Sequence, residues 1–174
     1  MHKPSNYDSV KAKTGTFQRV EAGPYILGIC KAIETTSRAN DPMLVLSIDI
    51  ADGPNKGNYR KLSERLNKDC LLKHYRLLTD NASDYLKGDI QAIEKSNSGF
   101  SFMFNENTLV GKFVGGMLAE EEYYSNGDIK TILKIKYLCS VEDVNSGKLI
   151  TPPLKKLDTS FPPEDNYNED DLPF

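Results

Sequence analysis

The chain contains no tryptophan, two histidines and three cysteines. Each scarcity removes a class of chemistry. Cys30, Cys70 and Cys139 include no Cys-x-x-Cys pair and cannot close a disulfide framework, so a reducing, cytoplasmic setting is expected. His2 lies near the N-terminus and His74 stands apart. Neither joins a Ser-His-Asp or Cys-His arrangement, nor a zinc-ligand spacing. Gly111-Lys112-Phe113-Val114-Gly115-Gly116 lacks the Gly-Lys-Ser/Thr of a phosphate-binding loop. No cofactor is implied. No apolar run approaches the ~18 residues of a membrane span, and the N-terminus lacks the apolar core of a signal peptide.

What is present is a soluble composition, 39% apolar and 27% charged over 174 residues, enough for one domain. The net charge of −3 hides an uneven distribution. Leu157 to Phe174 holds six acids and no base, leaving 22 bases against 19 acids in the rest. A mildly basic body therefore carries an acidic end. Three parts are expected: a polar arm over 1–16, a folded domain over 17–156, and a disordered acidic tail over 157–174.

Hydrophobic periodicity predicts mainly β structure. Pro24 to Ile33 is rich in strand formers. Leu44, Leu46, Ile48 and Ile50 share one parity, the mark of a half-buried strand. Gly53 to Gly57 reads as a turn, and Asn58 to Leu62 as the strand pairing back. From Leu66 to Leu78 the spacing becomes helical, and a second helix is expected from Ser83 to Gly99. Phe100 to Phe104 fits a short strand or a hydrophobic plug. Strands resume over 112–124 and 129–141, joined by the hairpin turn Asn126-Gly127. In the last strand Leu133, Ile135 and Tyr137 should face inward and Lys130, Lys134 and Lys136 outward. Five strands with helices between the third and fourth is the order of the OB-fold, a five-stranded, partly open Greek-key barrel used widely for oligonucleotides. A generic α+β sandwich is the competing architecture.

The chain ends Glu169-Asp170-Asp171-Leu172-Pro173-Phe174. This closely resembles the acidic tip of bacterial single-stranded DNA-binding proteins, in which several Asp precede Ile or Leu, Pro and a terminal Phe. Such an ending arises by chance in on the order of one chain in 10⁵, which sets it apart from ordinary acidic tails. A terminal ring can fill an apolar pocket while its carboxylate meets a basic side chain. Proline lowers the entropy lost on docking, and the acids steer the peptide to a basic rim. The resemblance implies protein partners in replication, recombination and repair, and a bacterial cell as the setting. The body departs from the housekeeping proteins: it lacks Trp and their long Gly/Gln-rich linker, and its N-terminal strand differs. Ala92 to Gly99 and Leu109 to Lys112 look more like small phage and mobile-element proteins. Together these imply a phage-type single-stranded DNA-binding protein, with homo-oligomers by edge-strand pairing compatible with the fold.

Sequence-tolerant binding needs cations for phosphates and rings for bases. On such a barrel the second and third strands and the loops after strands one and four supply them. The candidates are Arg38 in the first loop; Tyr59, Arg60 and Lys61 on the expected third strand; Lys112; Tyr123 and Tyr124, of which only one can face outward; and Lys130, Lys134 and Lys136. Phe113 and Tyr137 read as core rings. The acidic tail is expected to compete with DNA for the basic groove. Two other readings stay open. One is a Mg²⁺-dependent nuclease pairing Asp49 or Asp52 with Asp128-x-Lys130. The other is a protein-only adaptor that uses the tail without touching DNA.

Overall fold

Leu27, Ile29, Leu46, Ile48, Leu118 and Leu133 are buried in one core, and they come from four strands of a single curved sheet. In the structure, a computed structural model, residues 3–9 and 19–158 are described. Strand β1 spans Gly23–Thr36 and β2 spans Pro42–Ile50. Helix α1 covers Asn58–Leu66, β3 Leu72–Leu77 and α2 Ser83–Ser96. β4 covers Phe113–Ser125, β5 Asp128–Cys139 and the short α3 Val141–Asn145. The five strands form one antiparallel open sheet in the order β3-β2-β1-β4-β5. It curls until the edge strands β3 and β5 line a common cleft. From α2, Ile93 is buried in the core with Leu86 and Ile90 packed beside it.

The expected mainly β class holds. Two expected elements exchange places. Asn58 to Leu62 is helical, and Leu72 to Leu77 is extended. The helix is decided by a contact remote in sequence. Gly57 precedes it with no side chain to cap the first turn. The Asp49 carboxylate supplies the cap instead, accepting the main-chain N–H of Tyr59 and of Arg60, each at 3.1 Å. Tyr59 and Leu62, three residues apart, then turn inward together. In β3 the true period is two. Leu72 and His74 are buried while Lys73, Tyr75 and Leu77 lie on the other face. The helical spacing through Leu66, Cys70, Lys73 and Leu77 combined residues of a helix, a loop and a strand. Short apolar runs do not distinguish the two periods.

The rest follows the pattern more closely. Asn126 and Gly127, with φ of 50° and 86°, make the tight hairpin turn between β4 and β5. A register shift opposite Met117 and Leu118 makes Lys136 the extra residue of a bulge. Leu133, Ile135 and Leu138 therefore all belong to the core side despite their mixed parity. Tyr137 is half-buried. Past α3 the chain does not leave the body at Pro152. Lys155 pairs with the free edge of β4, its N–H donating to Glu120 O and its carbonyl accepting from Glu122 N–H. The acidic tip Glu169 to Phe174, most of the tail and most of the arm lie outside the described residues.

Gly115 lies where α3 folds back on β4. A Cβ there would sit 2.5 Å from the Ser140 carbonyl oxygen and 2.7 Å from Val144 Cγ2. The first neighbour is main chain and cannot rotate away. Gly115→Ala should therefore lower unfolding free energy by about 1–3 kcal/mol, measured by urea denaturation with an unchanged m-value. An unaltered midpoint would mean that α3 packs elsewhere.

Candidate nucleic-acid interface

The register of β1, β2 and β3 sets two rows side by side on the outer face of the sheet. Ile33, Val45 and Tyr75 are aligned across the three strands, and so are Lys31, Ser47 and Lys73 two positions along. An apolar row carrying one aromatic thus borders a basic row. Ile33 and Tyr75 are 54% and 46% exposed, so both present apolar surface to solvent.

Three hollows run along this face. The first, about 410 Å³, lies between the sheet and α1 and includes Lys31, Arg60, Lys68, Asp69 and Leu71. The second, about 260 Å³, is the β3–β5 cleft. Lys73, Tyr75 and Arg76 line one wall and Lys134 and Lys136 the other. Leu71 belongs to both. The third, about 330 Å³, shares Arg60 with the first and adds Lys56, Gly111 and Phe113. Together they form one winding track from Phe113 past Arg60 and Lys68 to Lys136. Eight Lys and Arg side chains line it, against the three acids Asp49, Glu64 and Asp69.

Two of those acids are already engaged. Asp49 caps α1 and also accepts the Ile50 N–H at 2.8 Å. Asp69 accepts from Lys73 Nζ at 2.7 Å, and the same ammonium donates to Ser47 Oγ at 2.7 Å. Burial pushes the Asp69 carboxyl up, but the Lys73 ammonium and the Leu71 N–H outweigh it and hold the group below its usual range. Beneath the second hollow is a buried polar cluster. Asp89 Oδ2, on α2, lies 2.8 Å from His74 Nε2 and accepts from Arg76 Nε at 2.7 Å. The Arg76 guanidinium also lies over the Tyr85 ring. Burial pushes Asp89 up; the His74 and Arg76 hydrogen bonds and charges prevail and keep it below the ordinary carboxylate value. His74 Nε2 also lies 3.1 Å from Arg76 Nη2, so this one ring nitrogen faces both the carboxylate and the guanidinium.

Arg60, Lys134 and Lys136 of the sequence candidates fall on this track. Lys112 adjoins its third hollow, between Gly111 and Phe113, with its ammonium 4.7 Å from the Phe100 ring. Arg38, Lys61, Lys130 and Tyr124 lie outside the three hollows. Two tyrosines are corrected. Tyr59 is on α1, not a strand, and only 5% of it is exposed; burial raises its hydroxyl pKa strongly. Tyr123 is 3% exposed and packs with Ile132. Neither can offer a ring face to a base. Phe113, expected in the core, is 51% exposed.

Lys31, Lys56, Lys68, Lys73, Tyr75 and Arg76 were not among the candidates. Reading Leu72 to Leu77 with period two would have set Lys73 and Tyr75 on an outward face. Lys31 and Lys68 carry no local signal, because they meet only when α1 docks on the sheet.

The other chemistries find less in this arrangement. Asp49 is committed to α1. Among the described residues no group of three or more His, Cys, Asp or Glu is placed to hold a metal ion. The Cys139 thiol is pushed up to about 11, by burial first and by Asp143 second, so it is not a thiolate nucleophile at neutral pH. Among the described residues no helix is long and apolar enough to cross a membrane. No protein-family model and no curated protein matches the chain.

Proposed function

We propose that this chain binds single-stranded DNA with little sequence preference, as a phage-type protein of the bacterial cytoplasm with an OB-type barrel. Its acidic tip would recruit replication, recombination and repair proteins. The observation that carries this reading is the track: cations in excess along a curved sheet, with Tyr75 and Phe113 exposed within it. Nonspecific single-strand binding uses that combination, because phosphates recur along any strand and every base has a face to stack. The strand order and the helix between β3 and β4 support the barrel assignment. The ending in Leu172-Pro173-Phe174 supports the recruiting role.

Binding of labelled oligo-dT across a salt series tests the reading. The full chain should bind, with log affinity falling against log salt at about −0.7 per phosphate contacted. A chain lacking residues 164–174 should bind about 2- to 10-fold more tightly at low salt, as expected when a tethered acidic segment at millimolar effective concentration competes for the track. The gain should vanish in high salt as the charges are screened. A full chain that ignores oligo-dT at 50 mM salt while its tip still captures replication proteins would leave the protein-only adaptor as the function.

A further inference from the structure

Beyond the track, the segment between α2 and β4 carries a feature that the fold does not require. Phe100 and Phe102 pack on the core, but Met103 and Phe104 project, 80% and 83% exposed. Phe104 has a φ of +54°, a left-handed conformation that bulky side chains rarely adopt and that tends to persist at functional sites. The segment is nonetheless tied down. Phe102 N–H donates to Glu94 Oε1 at 2.8 Å. One helical turn later Asn97 exchanges hydrogen bonds with Phe113, its Nδ2 donating to Phe113 O at 2.7 Å and its Oδ1 accepting from Phe113 N–H at 3.0 Å. The two anchors place the loop beside the Phe113 end of the track. Phe102 backs Phe104 at 5.3 Å between centroids, with the rings tilted by 48°.

We infer that Phe104 is a stacking platform for an unpaired nucleobase, extending the DNA path beyond Phe113. The inference rests on the single-stranded DNA reading above and deepens it. One flat ring is held from behind and strongly exposed, on a loop whose Phe100 ring lies 4.7 Å from the Lys112 ammonium. Ser101 and Asn105, both exposed, flank it. Met103 and Phe104 are the large apolar side chains that project from this loop, whereas a stable protein interface uses roughly 800 Å² per partner. A base needs only a ring face. Glu106 is the acid next along the loop, so the strand's phosphates should pass on the Lys112 side.

The test compares the full-length chain with its Phe104→Gly and Phe104→Asn variants on labelled dT oligonucleotides of increasing length. Both replacements tolerate left-handed backbone, so the melting temperature should be unchanged or higher. Affinity should fall about 5- to 100-fold for oligonucleotides long enough to reach the loop, and stay unchanged for shorter ones. The slope of log affinity against log salt should be the same as for the parent, because a ring releases no counterions. Parent and variant affinities that agree at every length, with the parent binding well, would overturn the platform and leave the track intact. Variants that keep full affinity but lose self-association in sedimentation would also overturn it, in favour of a contact between copies. A parent that binds no oligonucleotide would remove the DNA reading and the platform together.

Discussion

Replacing Arg60, Lys68 and Lys136 together by glutamine should weaken oligo-dT binding about 10²- to 10³-fold at 50 mM salt. Each of these side chains stands in a different stretch of the track, Arg60 where the first and third hollows meet, Lys68 in the first and Lys136 in the second. If each contacts one phosphate, the triple variant releases three fewer counterions, and the salt slope should become shallower by about 2. The two readouts are linked, since that slope accumulated between 1 M and 50 mM salt is what produces the affinity loss. A matched control replaces Arg38, Lys61 and Lys130 by glutamine, all three exposed and outside the hollows. It changes the net charge of the molecule without altering the track, and should shift affinity only slightly. Equal losses in the two variants would mean that binding follows overall charge and that the track is incidental.

Asp89→Ala should destabilise the fold by about 3–5 kcal/mol. Among the described residues, Asp89 is the only carboxylate that hydrogen-bonds His74 and Arg76 in the cluster beneath the β3–β5 cleft. Its removal leaves an arginine largely out of water without a counter-charge and a buried histidine without its carboxylate partner. For a domain of this size the loss corresponds to a fall in melting temperature of about 6–20 °C, readable by circular dichroism. The same carboxyl predicts an acid limb. Its native pKa lies below the ordinary value of 3.8, so its stabilising contribution is complete above that value and is lost as pH falls through the lower, native one. Parent stability should therefore decline steeply only in strongly acidic solution. The variant, already lacking the contribution, should show a flatter decline. Parallel acid limbs would place the linkage on other carboxylates, such as Asp69 and Asp143, whose pKa values are also lowered.

Much of this architecture is written locally. The alternation of Leu44, Leu46, Ile48 and Ile50, the Asn126-Gly127 turn and the helix from Ser83 all appear where short-range patterns place them, because each depends on neighbours within a few residues. The exchange of strand and helix between residues 58 and 77 shows the limit. Tyr59 to Leu62 reads equally well with either period, and the choice is made by Asp49, ten residues upstream in a different element. The same misassignment displaced the candidate site. Arg60 stays in the candidate site because it is exposed on α1, Tyr59 leaves it by turning into the core, and Lys73 and Tyr75 enter it by turning outward from β3. On β5, alternation set Lys134 and Lys136 on one outward face; both line the β3–β5 cleft, and a bulge at Lys136 interrupts the parity that suggested it.

The amino-acid order by itself determined a β-rich chain with a helix starting at Ser83 ahead of its last two strands, the excess of acids at its end and the excess of bases in its body. Those properties are sums over neighbouring residues, so no folding is needed to read them. Only the tertiary structure decided which cations share a surface. Lys31, Arg60, Lys73 and Lys136 lie far apart in the chain and come together because the sheet curls β3 towards β5 and Asp49 holds α1 against its outer face. Charge counts are local, whereas a groove is a product of closure.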